Sequence, residues 1–216
     1  GDGELNALYS FTCILDFIYG WNRSRTESLV QALTYAQRAV ELDRGCALCY
    51  RSLGDAHLYA KRHDEAIEVL RKGLEINPND SDTCCLLGGT LGYAGDYDAA
   101  EENIRRAARL SPRDPFAVIF FGYMAHSAIV AGRLEDVLAW VAKTKSTQPK
   151  FPGGYRAGAV VHALTGDLKK AKSDLATYLE FAPNTTISDM RFVLPIKEEE
   201  PMARYLDALR QAGMPE

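Results

Sequence analysis

Four of the five cysteines are the one set of side chains whose types and spacing could bind a metal ion. Cys46 and Cys49 are separated by two residues, and Cys84 and Cys85 are adjacent further along the chain. Four thiolates are a ligand set that zinc accepts. However, neighbouring residues on a helix point about 100° apart, and this spacing matches no common zinc module. Buried free thiols are therefore favoured over zinc, and we expect no cofactor.

The histidines and the glycine-rich segment do not form a catalytic or nucleotide-binding motif. No nucleophile–base pair involves any of the four histidines, which are His57, His63, His126 and His162. The segment from Gly88 to Gly95 has the composition of a phosphate-binding loop, but such loops follow a strand, and no strand pattern precedes it. We therefore expect this chain to have no catalytic activity of its own.

Composition excludes several further classes of protein. The chain has 216 residues, 47% of them apolar, and a net charge of −4, which argues against a basic nucleic-acid-binding face. No apolar run reaches the length of a membrane span. The first residues lack the pattern of a signal peptide, and the odd number of cysteines has no framework spacing, which favours a reducing, cytoplasmic compartment. Because a helical pattern begins almost at once, we expect a domain cut from a longer chain.

A constant interval in the sequence indicates the elements that must position any functional residues. Pairs ending in glycine recur every 34 residues, at Leu53-Gly54, Leu87-Gly88 and Phe121-Gly122. The same interval relates Asn77-Pro78 to Ser111-Pro112 and Ala66 to Ala100. A period of 34 with a small residue at the eighth place and a late proline is the tetratricopeptide repeat (TPR) signature, in which each unit is two antiparallel helices, A and B.

The predicted fold is all-α, a right-handed α-solenoid of about five TPR helical hairpins with a C-terminal capping helix. We expect units at about 4–46, 47–80, 81–114, 115–151 and 152–183, followed by capping helices in 184–216. The late Pro149 predicts that helix A of the fourth unit is longer by one turn and runs to Ala131 and Gly132. Asp64 is expected to cap helix B of the second unit, and Ser24 with Glu27 to form a capping box.

The C-terminal residues leave the repeat pattern. A short helix is expected around 188–194 and a final helix over about 199–212, with Pro201 in its first turn and Gly213 as its stop. The final helix carries one apolar stripe, formed by Met202, Tyr205, Leu206 and Leu209. We expect this stripe to pack over the last repeat, because a terminal repeat otherwise leaves an apolar face in water.

The inner, concave surface of the array is the predicted binding site. The repeat register places these groove residues on one face of the A helices: Phe17, Trp21, Arg51, Asp55, Tyr59, Cys85, Tyr93, Phe116, Ile119, Tyr123 and Arg156. An aromatic surface with sparse charge suits an apolar peptide or helix. Two alternatives stay open, that many of these residues are core between repeats, or that another part of the same polypeptide covers the groove.

Two further segments resemble one family of regulators. Gly20 and Trp21 precede a polar loop and then Glu27, Ser28 and Leu29, and the chain ends in the segment 205–216, Tyr-Leu-Asp-Ala-Leu-Arg-Gln-Ala-Gly-Met-Pro-Glu. In this order they resemble the C-terminal TPR region of bacterial class III adenylate/guanylate cyclases and of related TPR-bearing winged-helix regulators. The resemblance implies a regulatory or assembly module that follows a catalytic or DNA-binding domain. It assigns a catalytic role to no residue of this chain.

Three functions are compatible with these observations. The first is a non-catalytic interaction module of a signalling protein, which binds a peptide, a helix or a second copy of itself. Such a module would not bind nucleic acid and would have no membrane span in this chain. The second is a stand-alone TPR adaptor or co-chaperone, and the third is a sensor of a small ligand. A cyclase domain encoded upstream of Gly1 would favour the first over the second.

Overall fold

A computed structural model describes residues 1–21 and 24–216, and within these ranges it has twelve α-helices and no β-strand. Asn22 and Arg23, in the polar loop after Trp21, lie outside the described residues. The helices are α1 (Asp2–Tyr19), α2 (Arg25–Leu42), α3 (Ala47–Tyr59), α4 (His63–Ile76), α5 (Ser81–Tyr93), α6 (Tyr97–Leu110), α7 (Ala117–Val130), α8 (Leu134–Thr147), α9 (Pro152–Leu164), α10 (Leu168–Phe181), α11 (Ile187–Val193) and α12 (Glu199–Ala212).

The first ten helices form five antiparallel hairpins, and each hairpin stacks on the one before it. Helix α3 packs against both α1 and α2, and the same relation places α5 on the second hairpin, α7 on the third and α9 on the fourth. The predicted all-α solenoid of TPR-like hairpins with a C-terminal helix is confirmed. Within residues 1–21 and 24–216, none of the helices combines the length and the hydropathy that a bilayer-spanning helix needs.

At Gly88 the repeated glycine is required by the close approach of the two helices of the third hairpin. A Cβ atom on Gly88 would lie 2.9 Å from the carbonyl oxygen of Ala100 and 2.6 Å from Cγ1 of Ile104 on the partner helix. A Cβ atom on Gly54, one repeat earlier, would lie 2.5 Å from Leu70. At Gly88 the obstruction includes backbone, which cannot rotate away, so the eighth position of this repeat tolerates no side chain.

Replacing Gly88 with alanine is therefore expected to destabilise the protein by about 3 kcal/mol, the cost of overpacking a tight core contact. The melting temperature should fall by roughly 10 °C, which a thermal melt followed by circular dichroism measures. Gly45→Ala is the matched control, since a Cβ atom there meets only the Asp43 carboxylate, at 3.5 Å. Equal effects of the two substitutions would show that the helix crossing does not determine this position.

The extra residues of the fourth hairpin do not lengthen its first helix by a turn, so that prediction is wrong. Helix α7 has 14 residues and α5 has 13. Most of the insertion lies before α7, because six residues, 111–116, connect α6 to α7, whereas four, 77–80, connect α4 to α5. There the carboxylate of Asp114 accepts a hydrogen bond from the Phe116 amide at 2.8 Å, which closes a turn around Pro115.

The two expected helix caps have different outcomes. Ser24 Oγ accepts a hydrogen bond from the Glu27 amide at 3.2 Å and begins α2, which is one of the two hydrogen bonds of the expected capping box. Asp64 does not cap α4, because that helix begins one residue earlier, at His63, with Arg62 in the cap position. The Asp64 side chain instead forms an ion pair with Lys197 Nζ at 3.0 Å, so it is engaged by the C-terminal part of the chain.

Candidate interaction surfaces

Residues 187–216, here called the tail, cross the array along the C-terminal ends of its odd-numbered helices. The backbone amide of Lys197 donates to the carbonyl oxygen of Tyr93, the last residue of α5, at 3.0 Å. At the turn between α3 and α4, Nε2 of His63 lies 2.6 Å from the carbonyl oxygen of Pro195. Backbone groups of the tail therefore bond to two different hairpins, as those of a bound peptide would.

Lys61 shows that this turn is shaped by the tail. The equivalent turns of the next three hairpins use glycine with positive φ, at Gly95, Gly132 and Gly166. Lys61 has a φ of 60°, a left-handed conformation that costs a residue with a side chain about 1 kcal/mol or more. Its Nζ donates to the carbonyl oxygen of Arg191 at 2.9 Å. The left-handed conformation of Lys61 thus occurs at the turn where its side chain binds the tail.

The tail also reaches the first hairpin. The rings of Phe192 and Phe17 have centroids 5.4 Å apart. Arg25 Nε lies 3.4 Å from a carboxylate oxygen of Asp189, while another nitrogen of the same guanidinium donates to the carbonyl oxygen of Ile18 at 2.8 Å. Arg25 therefore joins α2, the end of α1 and α11.

Helix α12 fills the other half of the inner surface. Its stripe is buried as predicted, with Tyr205, Leu206 and Leu209 each 0% exposed. The Tyr205 ring stacks on His126 with centroids 6.0 Å apart, and Arg204 donates to the carbonyl oxygen of Val130 at 2.9 Å. Since α12 packs on α7 as well as on α9 and α10, the tail is more than a cap on the last hairpin.

The eleven predicted groove residues are consequently divided among three environments. Phe17, Asp55, Cys85 and Tyr93 are buried; Arg51, Tyr59, Tyr123 and Arg156 are half-buried; Trp21, Phe116 and Ile119 are exposed. The buried and half-buried members line the space that the tail occupies or the contacts between hairpins. Both alternatives that the sequence left open, core packing and coverage by the same polypeptide, thus apply to parts of this surface.

A neutral histidine and a charged arginine form the polar centre of the inner surface. An Nη2 atom of Arg156 lies 3.1 Å from Nε2 of His126, and His126 Nδ1 lies 2.8 Å from the carbonyl oxygen of Gly122. Burial, reinforced by the charge of Arg156, lowers the pKa of His126 to about 3. The ring is therefore neutral, so that Nδ1–H donates to Gly122 and Nε2 accepts from Arg156.

Asp55 is a second buried titratable group on this surface. Asp55 is 9% exposed. Burial raises the pKa of its carboxyl group to about 7, although the positive charge of Arg51 acts to lower it. Burial likewise raises the pKa values of the hydroxyls of Tyr59, Tyr93 and Tyr123. The hydroxyls of these three tyrosines are therefore uncharged at neutral pH, which suits packing of this part of the inner surface against the tail.

Several large apolar side chains are exposed together on a different surface, formed by α1. On α1, Leu5 is 66% exposed, Leu8 52%, Tyr9 51% and Phe11 49%. We call these four residues, together with Tyr19 and Trp21 at the end of the helix, the α1 face. Trp21, which is 68% exposed, stacks on Tyr19 with ring centroids 5.3 Å apart. The opposite side of α1 carries Ala7, Ile14 and Phe17 into the core.

The predicted groove included only Trp21 of the α1 face. The signal was available, because residues 5–19 place apolar side chains on both sides of one helix, whereas an end helix needs only one apolar side. Helix α1 also has no basic residue in its last turn. A helix with two apolar sides at the end of an array predicts a second packing partner.

Sites for small ligands are not evident elsewhere on the described surface. Among residues 1–21 and 24–216, no three His, Cys, Asp or Glu side chains are grouped so as to hold a metal ion. Two shallow depressions lie on single helices, one along α4 beside Asp64, Glu68 and Lys72, and one along α2 beside Arg38 and Glu41. Neither is lined by residues of the tail or of the α1 face.

Comparison with known proteins gives matches to repeat-family models and to solved structures. Models of the tetratricopeptide repeat family match residues 47–80 and 81–114. Among solved structures, a thermophilic TPR protein of Thermus thermophilus superposes with a TM-score of 0.68 at 18% identity, over 96% of this chain and 99% of its own. The type IV pilus biogenesis factor PilW superposes with a TM-score of 0.66 at 18% identity, over 97% and 93%. PilF of Pseudomonas aeruginosa gives 0.62 at 13%, over 95% and 90%.

One curated protein also has a matching sequence. Human protein O-mannosyl-transferase TMTC1 is 30% identical over 91 residues, which are 40% of this chain. The match spans only 10% of that protein's length. The likeness is therefore local.

Proposed function

Because residues 47–114 are tetratricopeptide repeats within a solenoid of five hairpins, we propose that the chain is a non-catalytic protein-interaction module that binds a partner through the α1 face. One observation carries the proposal, the exposure of about half or more of Leu5, Leu8, Tyr9 and Phe11 on a single helix. Contiguous apolar patches on a protein surface mark interaction sites. Aromatic anchors such as Phe11 and Trp21 supply most of the binding energy in such sites.

The tail is the reason to favour this face over the inner surface. A peptide that entered the predicted groove would have to displace Tyr205, Leu206 and Leu209, which are fully buried. The tail is also linked covalently to the array, so its effective concentration exceeds that of any free competitor. In this proposal the inner residues Tyr59, Tyr93 and Arg156 hold the tail, while Trp21 contributes to partner binding.

A photocrosslinking amino acid on the α1 face tests the proposal. With p-benzoylphenylalanine at position 8, illumination in cells should give one discrete protein adduct, which the additional substitution Phe11→Glu abolishes. The control is the same photocrosslinker at position 181, because Phe181 is 43% exposed on α10, outside the α1 face. Equal labelling from both positions, or no adduct from position 8, would contradict the proposal.

A finer function rests on the resemblance to TPR regions of cyclases. If a catalytic domain precedes this chain, as it does in that family, α1 would be the first helix after it, and partner binding at α1 would act directly on the position of that domain. The five free cysteines favour a reducing compartment such as the cytoplasm for this module. The coding sequence upstream of Gly1 tests this function, and a start codon close to Gly1 would exclude it.

A further inference from the structure

We propose that the partner of the α1 face is the α1 face of a second copy of this chain, with the two α1 helices packed antiparallel. This inference rests on the proposed function, since it names the occupant of the same surface. Three properties of α1 support a second copy as the partner: the place of the helix in the stack, its charge distribution and its exposed area.

The place of α1 in the stack shows what the face lacks. Helix α5, inside the array, is covered by α3 and α4 on one side and by α7 on the other, and residues 83–93 are all buried. Helix α1 packs mainly on α2 and α3, and Phe192 of α11 contacts Phe17 near its C-terminal end, so no described helix lies over Leu5, Leu8 and Phe11. At the opposite end, α12 covers α9 and α10. The α1 face therefore continues the helix-to-helix interface of the array, and another helix with an apolar side is the occupant it fits.

The charges of α1 determine the orientation. Both exposed acidic residues, Asp2 and Glu4, lie in its first turn. In a parallel pair these carboxylates would lie side by side and repel, whereas an antiparallel pair separates them by the helix length, about 27 Å for 18 residues. The antiparallel pair also opposes the two helix dipoles.

The antiparallel pair aligns apolar residues with one another. A two-fold axis between Phe11 and Thr12 places Leu8 opposite Leu15, and Leu5 opposite Ile18, one residue before Tyr19. Thr12, the exposed polar residue at this centre, already donates its hydroxyl hydrogen to the carbonyl oxygen of Tyr9 at 2.7 Å. Burial of Thr12 in the dimer thus leaves its donor satisfied.

The exposed area indicates a weak dimer. A fully buried aromatic side chain removes about 150–250 Å² of surface from water, so each of the six half-exposed side chains of the α1 face can bury about 100 Å². The two copies together would then bury about 1,200 Å². This total is at the lower limit for specific interfaces. We therefore expect a dissociation constant in the micromolar range.

Sedimentation equilibrium over about 1–200 µM protein measures this association. The unmodified chain should convert from monomer to dimer within that range. Phe11→Glu places two carboxylates at the two-fold axis and should raise the dissociation constant at least about 50-fold. Phe181→Glu, an equally exposed apolar residue on α10, should change it less than about twofold. Thermal melts of both variants show whether each is folded.

A mixture of variants tests the position of the axis. Phe11→Glu mixed with Phe11→Lys should restore a heterodimer that neither variant forms alone, since opposite charges then meet. A chain that stays monomeric at all concentrations, or a dimer that Phe11→Glu leaves intact, would overturn the proposal. If the chain is monomeric while position 8 still crosslinks to a different protein, the α1 face keeps its proposed function and only the second copy is excluded.

Discussion

A chain that ends at Thr186 is expected to melt about 15 °C or more below the full chain. Removal of the tail takes Tyr205, Leu206 and Leu209 out of fully buried positions, and burying each such side chain contributes roughly 2 kcal/mol. In a protein of this size, a loss of about 6 kcal/mol in the free energy of unfolding lowers the melting temperature by about 15 °C or more. Circular dichroism at 222 nm against temperature measures it.

The tail supplied as a separate peptide gives the matched test. A synthetic peptide of residues 187–216 should bind the truncated chain and raise its melting temperature, and the same peptide with Tyr205→Ala should not. In the full chain, Leu209→Ala should cost about 3 kcal/mol, whereas Gln211→Ala, at an exposed position two residues later, should cost less than about 0.5 kcal/mol. A truncated chain that melts with the full chain would show that the tail does not contribute to stability.

The substitution Asp55→Asn is expected to stabilise the protein most at alkaline pH. Because burial raises the pKa of Asp55 in the folded state to about 7, above the ordinary value of about 4, the folded chain binds a proton that the unfolded chain releases. The free-energy cost of burying the ionised Asp55 carboxylate is therefore absent below pH 4, increases between pH 4 and 7, and reaches its full value above pH 7. The variant should gain about 2–3 kcal/mol more at pH 8 than at pH 5.

Urea unfolding of both chains at the two pH values measures this difference. The pH dependence that His126 gives to the free energy of unfolding has the opposite sign. Because its pKa in the folded state is lowered to about 3, stability decreases as the pH falls below about 6.5. It is present in both chains, so the comparison isolates Asp55. The control is Asp2→Asn at an exposed position. An equal gain at pH 5 and pH 8 would mean that the Asp55 carboxylate is not destabilised by burial.

The repeat pattern predicts the fold because each of its signals is local. The interval of 34 residues between Gly54 and Gly88 in the sequence predicts the helical hairpins, since each TPR unit places a small residue where its two helices cross. The stripe from Met202 to Leu209 predicts a buried final helix in the same way, because its periodicity depends only on that helix.

The site is harder to predict because it depends on contacts between distant segments. The bond from the Lys197 amide to Tyr93, and the ion pair of Lys197 with Asp64, join residues that no periodicity relates. For the same reason the sequence predicts that Tyr205 is buried but not that it stacks on His126. The α1 face was missed because the repeat pattern describes only contacts within the array.

The path of the tail changes how the array unfolds. In an open solenoid, each hairpin depends only on its neighbours, so the ends fray independently and the middle persists. Here α11 is bonded to the first hairpin through Arg25, and α12 packs on the last two. The tail thus connects the first hairpin to the last two, and opening of the first hairpin breaks contacts with a segment that also packs on the fifth. The whole chain then behaves as one cooperative unit instead of as a row of semi-independent ones.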